Sequence, residues 1–311
     1  MASATSSIPL DRQRLLGVAF AVLAALGFSV KAILVKLAYI DAVDAVTLLA
    51  LRMLFSAPFF LAIALWSGAN QCTAALEKRD WLLVLALGLI GYYLSSLLDF
   101  LGLQFISADL ERLILFLYPT LVVMLSAILF KRAIQPREVV ALCLSYAGVA
   151  LAVAHDISLK QSGILLGASL VFASTLSYST YLVGAGHAIA RIGAVRFTAY
   201  AMTVACATSV LQFSLIHPWS ALLRSARVYE LSFAMAIIST VLPAFLAAAS
   251  MRRIGSSHAA LIGSIGPIAT IYLAYVFLGE AFSGLQIAGA VLVIAGVLAI
   301  SVSSKQKKGG A

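Results

Sequence analysis

Charge is what this chain has least of. Only 11% of its 311 residues are Asp, Glu, Lys or Arg, against 63% hydrophobic, where soluble domains carry roughly 25% charged residues. So little charge cannot solvate the surface of a water-soluble fold, which excludes ordinary soluble enzymes and nucleic-acid-binding domains. Cysteine is nearly absent. Cys72, Cys143 and Cys206 are odd in number and two fall inside apolar runs, so neither a disulfide frame nor metal-ligand spacing follows. The four histidines, His155, His187, His217 and His258, lie scattered at predicted helix ends, as interfacial or solvated side chains do. No metal and no cofactor is expected. Long polar stretches are missing too: the longest connections between apolar runs are about fifteen residues, too short to hide a soluble catalytic domain. There is no His/Asp pair, no nucleophile with a nearby base and no nucleotide-binding loop, so the chain is not expected to be an enzyme.

What is present is hydrocarbon. Continuous apolar runs of about 20 residues match the thickness of a bilayer core, and in lipid only helices or closed barrels satisfy the backbone. The runs do not alternate, so they predict helices. We read ten spans: 15–38, 44–66, 81–104, 108–130, 137–155, 163–184, 194–216, 230–250, 256–278 and 283–302. The first is too long for a signal h-region and shows no clear cleavage site, so it is expected to be retained. The basic residues choose an orientation. With the amino terminus inside, fourteen of the 21 Lys and Arg fall in inner segments, three in outer loops (Lys160, Arg224 and Arg227) and four within spans. The positive-inside rule then puts both termini in the cytoplasm. That placement, rather than a nucleic-acid partner, accounts for the net charge of +9.

The chain also repeats itself. A shift of 148 residues lays "ISADLERLILFLYPTLVVMLSAILF" (106–130) without gaps over "IGSSHAALIGSIGPIATIYLAYVFL" (254–278), matching Pro119 to Pro267 and Leu113 to Leu261. The same shift carries Gly148 onto Gly296, and a shift of 150 pairs Leu26 with Leu176 and Ser29 with Ser179. The unit is five helices used twice. An odd count makes the second copy enter the membrane from the opposite side, which predicts an all-α membrane protein of two inverted-topology five-helix repeats, 15–156 and 157–303, between short cytoplasmic tails at 1–14 and 304–311. Inverted repeats suit alternating access.

These residues resemble the ten-helix drug/metabolite transporter superfamily, specifically its EamA-like members. The resemblance covers nearly the whole chain. It is carried by Arg52 in "LALRMLF", Ser107-Ala108 before helix four with Pro119 inside it, "FLGE" at 277–280, "GAVLVIAGVL" at 289–298, and the stretch from Tyr92 to Pro119. It implies transport across a bacterial cytoplasmic membrane and leaves the substrate open.

The charged residues locate a site. At about 1.5 Å per residue, Lys31, Arg52 and Asp99 lie roughly 10–12 Å below the outer surface, with Glu111 and Arg112 nearer 6 Å. Five such charges facing lipid would cost on the order of 10 kcal/mol, so they must face inward and pair, in combinations the sequence leaves open. Lys36 and Asp109 are near enough to the interface to reach it. Under the repeat, Lys31 corresponds to Tyr181, Asp99 to Ala247, Glu111 to Ala259 and Arg112 to Ala260. An architectural lock would be expected in both halves, whereas selection of a polar ligand needs charge in only one. Three cations against two anions point to a substrate with an anionic group. Tyr92, Ser95, Ser96 and Asp99 share one face of helix three, and Ser174, Ser177, Tyr178 and Tyr181 form a second polar stripe on helix six. A single such stripe is explained by interhelical bonding or by a water-filled path, and two of them fit a water-filled path better. Pro119 and Pro267, which remove backbone bonds in helices four and nine, are candidate hinges. Helices five and ten carry no intramembrane charge and are expected at the periphery, bracing the bundle or forming a homodimer contact.

The expected function is secondary transport, as an exporter of a small polar metabolite such as an amino acid or a related anionic compound. Arg52 and Lys31 would receive the anionic group, and Asp99 or Glu111 would carry a coupling proton. The partners implied are the substrate, protons as coupling ion, membrane lipids and a second copy of the chain, and no nucleic acid. The competing readings are a lipid-intermediate flippase and a membrane-embedded transferase using Asp99 or Glu111 as base.

Overall fold

The computed structural model describes residues 10–69, 76–131, 133–158, 162–254, 262–263, 265–280 and 283–306. Among them every regular element is helical. They are α1 (Leu10–Ile40), α2 (Ala45–Ala69), α3 (Lys78–Gly102), α4 (Ala108–Leu129), α5 (Pro136–Ser158), α6 (Ile164–Ile192), α7 (Ala194–Ile216), α8 (Ala226–Ile254), α9 (Ile265–Leu278) and α10 (Gly284–Gln306). Seven of them, α1 to α4 and α6 to α8, contain stretches long and apolar enough to cross a bilayer, and α5, α9 and α10 carry shorter apolar ones. With no water in hydrocarbon to take up backbone N–H and C=O groups, a helix that bonds them internally is what such sequences form.

The packing is pairwise. α1 lies against α8 and α9, α2 against α7, α3 against α6 and α7, α4 against α6 and α9, and α5 against α10. The core between α1, α2, α3, α7 and α8 is filled by Ile33, Leu48, Met53, Phe100, Leu103, Met202 and Met235. α5 and α10 meet through small residues. A Cβ on Gly148 would fall 2.5 Å from the Gly289 carbonyl oxygen and one on Gly289 as close to that of Gly148, so only bare backbone permits this approach.

Ion pairs mark the two rims. At one, Arg191 at the end of α6 pairs with Glu77 (2.6 Å) and Asp80 (3.3 Å) at the start of α3. At the other, Asp44 lies 3.4 Å from His217 and 3.8 Å from Arg224, and Asp41 lies 3.6 Å from Arg227. The orientation expected from the basic residues makes the first rim inner and the second outer.

Three helices are interrupted. α3 widens into a π-turn over Leu89–Leu94 and α8 does so over Ile237–Val241, starting 148 residues apart. α4 breaks at Phe116 and Leu117, and Pro119 stands in the first turn of the segment that follows, Tyr118–Leu129. The sequence predicts a kink caused by a proline in mid-helix. The structure instead seats Pro119 where its missing N–H would have no intrahelical partner anyway. Pro267 is the third residue of α9 as described, Ile265–Leu278.

Candidate translocation site

Three helices bring the first charges together. Lys31 from α1 places Nζ 2.5 Å from Asp99 Oδ2 of α3 and 3.0 Å from Glu111 Oε1 of α4. The carboxylates are sealed, with side chains 3% and 0% exposed, while the lysine retains 14%. Lys31 donates a hydrogen bond to Asp99. Its approach to Glu111 is close but lacks hydrogen-bond alignment, so Glu111 Oε1 is ion-paired yet not hydrogen-bonded. Asp99 Oδ1 and Glu111 Oε2 have no hydrogen-bond partner either. Charge counting makes this a triad with one negative charge in excess when both carboxyls are ionised, and neutral once one of them holds a proton.

The other two cations differ sharply from Lys31. Arg52 on α2 is 4% exposed, donates from Nη2 to Ser96 Oγ at 2.9 Å and lies with its guanidinium carbon 4.7 Å from the centre of the Phe100 ring. It is held as a packed side chain close to Cys206, whose thiol donates to Met53 Sδ at 3.7 Å. Arg112 on α4 extends across to α9, where a Cβ on Gly266 would come within 2.5 Å of its Nη2. Glycine at 266 therefore makes room for the guanidinium. Ser29 of α1 fixes that stretch of α9 by donating to the Gly266 carbonyl at 2.9 Å. Among the described residues Arg112 has no ion pair, and its buried Nε has no hydrogen-bond partner. It lies close enough to Glu111, Tyr118, Asp99 and Tyr178 to interact electrostatically with each.

Aromatic rings wall this region. Tyr118 and Tyr178 meet edge-on at 5.9 Å, Tyr178 stacks on Tyr181 at 5.7 Å, and the Tyr92 and Tyr181 hydroxyls bond at 2.9 Å. The two polar stripes face one another. Ser95 and Ser174 hydroxyls lie 3.0 Å apart, Ser174 also donates to the Ser95 carbonyl (2.7 Å), and Ser177 donates to the Ile90 carbonyl at 2.6 Å. Much of both stripes thus joins α3 to α6, while Tyr118, Tyr178 and Arg112 remain only half-buried.

Sequence reasoning did not single out Tyr118, Gly266 and Glu280. A signal existed for the first two. They are equivalent under the 148-residue shift, and the repeated serines contact them in matched fashion: Ser29 donates to the Gly266 carbonyl and Ser179 to that of Tyr118 at 3.3 Å. Asp109, expected to reach the interface, is 4% exposed and lies beside Glu280, whose Oε1 accepts from the Ala108 N–H at 3.2 Å. Its sequence position hid a partner 171 residues away. No cluster of His, Cys, Asp and Glu suited to a metal ion occurs among the described residues.

A helical membrane protein that gathers buried charge from four of its helices against an aromatic wall has the make-up of a membrane transporter. The chain belongs to the EamA-like transporter family, within the drug/metabolite transporter superfamily; the family model matches it twice, over residues 15–154 and 165–302. The "Uncharacterized transporter YcbK" of Bacillus subtilis (strain 168) is 31% identical, with 89% of this chain and 90% of that protein aligned. The "Uncharacterized transporter sll1319" of Synechocystis sp. is 25% identical, over 79% of this chain and 76% of its own length. A solved structure, described only as the crystal structure of a protein, superposes with a TM-score of 0.64 at 20% identity, spanning 94% of this chain and 98% of the other. That likeness speaks for the fold alone.

Proposed function

We propose that this membrane transporter is a secondary carrier built from ten spans in two inverted five-helix halves, and that it exports a small polar metabolite bearing an anionic group from a bacterial cytoplasm by alternating access. The double match to the family model, the π-turns 148 residues apart and the paired Ser29 and Ser179 contacts support the repeat. The basic inner segments support cytoplasmic termini.

One observation carries the site assignment. Lys31 is in contact with two carboxylates and Arg52 with Ser96 and Phe100, whereas Arg112 makes no contact ion pair among the described residues, senses Glu111 and Asp99 only through longer-range attraction, and stands beside half-buried tyrosines. We therefore assign receipt of the anionic group to Arg112, with Lys31 and Arg52 shaping the chamber. Buried ionisable groups inside a membrane protein mark substrate and proton paths. The Asp99 and Glu111 carboxyls, close enough to share a hydrogen bond, are the proton carriers of this reading.

The test compares intracellular and extracellular metabolites in cells making wild-type protein, Arg112→Gln, Asp99→Asn or none. Wild type should shift the ratio of one class of anionic metabolites. Both variants should be inserted at normal levels and lose the shift. Normal export by Arg112→Gln would remove the anion-receptor role, and a shift confined to lipids extracted from the membrane would favour a flippase.

A further inference from the structure

A second pair of carboxyl groups lies away from the triad, at the outer ends of α4 and α9. Asp109 is 4% exposed, yet its Oδ1 has no hydrogen-bond partner, and the same holds for the buried Oε2 of Glu280. The other Glu280 carboxyl oxygen accepts from the Ala108 N–H, the first backbone amide of α4. That contact ties the start of α4 to the turn after α9. The two carboxyl groups are close enough to share a hydrogen bond. Two carboxylates at that distance repel, and they attract only when one of them carries a proton.

Among the described residues, the charged groups near the pair are Lys36 of α1, which senses Glu280, Asp109 and Glu111, and Glu111 itself one turn into α4. One cation among three carboxyl groups leaves negative charge in excess. Burial first, and then the Asp109 charge, push the Glu280 carboxyl above the ordinary carboxylate range, against the opposing pull of the Ala108 N–H and Lys36.

We propose that Asp109 and Glu280 form a proton-binding site at the outer end of the protein, and that a proton shared between them latches the start of α4 to the turn following α9. The bound species is a single proton, and no covalent bond between heavy atoms changes. With the proton present, one carboxyl donates to the other and Glu280 keeps its grip on the Ala108 N–H. Without it, the two anions push apart and the start of α4 is released. The site is separate from the Arg112 assignment and does not depend on the substrate.

The sign follows from linkage. The latched form binds one more proton than the released form, so latching is favoured at low pH and lost as pH rises through the titration of the pair, by at most about tenfold per pH unit. Hydrogen exchange of the full chain in lipid nanodiscs, followed on peptides containing Ala108 from about pH 5.5 to about pH 8.5 and corrected for intrinsic exchange, reads this directly. Wild-type protection should fall across that range. Glu280→Gln keeps an oxygen for the Ala108 N–H and supplies an amide donor to Asp109, so it should stay protected with no pH slope. Asp109→Asn should also flatten the profile, and serves if the glutamine variant folds poorly. A flat wild-type profile would overturn the proposal, as would a wild-type slope retained in either variant.

Discussion

Replacing Lys31 by methionine tests the central charge arrangement most directly. The ammonium lies 2.5 Å from Asp99 and 3.0 Å from Glu111, and both carboxyl side chains are almost wholly excluded from solvent. Methionine preserves the apolar length of the side chain, so the substitution removes charge with little loss of packing. Deleting one partner of a buried pair costs about 3–5 kcal/mol, because the remaining charge is left uncompensated. Here one cation serves two carboxyls, so the upper part of that range, about 4–5 kcal/mol, is expected. At about 1.4 kcal/mol per factor of ten, this is a thousandfold or more in the unfolding constant. Adding Asp99→Asn and Glu111→Gln to Lys31→Met removes every charge of the triad, and neutral replacement of a buried ion pair is often neutral for stability. The triple variant should therefore return to within about 2 kcal/mol of wild type. Reversible unfolding in mixed micelles, titrated with a denaturing detergent, measures all three proteins. A Lys31→Met protein within about 1 kcal/mol of wild type would refute the reasoning, and so would a triple variant no more stable than the single one.

Two further outcomes follow from the geometry. Asp44 accepts from the Thr47 N–H at 2.9 Å and sits near His217 and Arg224, so Asp44→Ala should cost about 1 kcal/mol of cap energy, little of it from the half-exposed ion pairs. Burial alone would push the Asp44 carboxyl up, but its Thr47 bonds and His217 outweigh that and hold it below the ordinary value. The cost of Asp44→Ala should thus be full above the ordinary carboxylate pKa and vanish as pH falls through the depressed one, which melting curves across acid pH will show. Gly91 packs so tightly on the Tyr181 ring that an added Cβ would overlap it. Gly91→Ala should cost about 1–3 kcal/mol through overpacking and separate the Tyr92 and Tyr181 hydroxyls, read as a lower detergent-unfolding midpoint and a changed tyrosine ultraviolet spectrum.

Depth was legible from the sequence, and pairing was not. Counting residues from the outer helix ends puts Lys31 and Asp99 at one level and Glu111 about a helical turn nearer the surface, because an α-helix rises evenly, and the structure brings Lys31 into contact with both carboxyls. Rotation about each helix axis decides which of three cations meets which carboxyl. That rotation is set by packing between helices distant in sequence, such as α4 against α9. The same gap explains Asp109. Its distance from the helix end implied solvent, yet it is buried where Glu280, from just past the far end of α9, bonds the neighbouring Ala108 N–H. The π-turns left no signature that pattern reading detects, since one extra residue per turn alters backbone hydrogen bonding without changing an apolar run.

Those π-turns bear on how motion could enter the fold. A π-turn displaces the backbone register and leaves a carbonyl open to a partner from outside the helix. In α3 the Ile90 carbonyl accepts the Ser95 N–H five residues on and, as a second donor, the Ser177 hydroxyl at 2.6 Å. In α8 the carbonyl at the equivalent position, Ile238, faces Gly27 of α1, where even a Cβ would come within 2.6 Å. The 150-residue shift that pairs Ser29 with Ser179 also pairs Gly27 with Ser177. Corresponding helices therefore meet corresponding π-turns, one through a side-chain hydrogen bond and one through bare backbone contact. Pro119 stands at the start of a helical segment, where a proline needs no bending to be accommodated. The local departures from α-helical bonding in α3 and α8 are thus places, beside the prolines, where a change of helix direction can be absorbed.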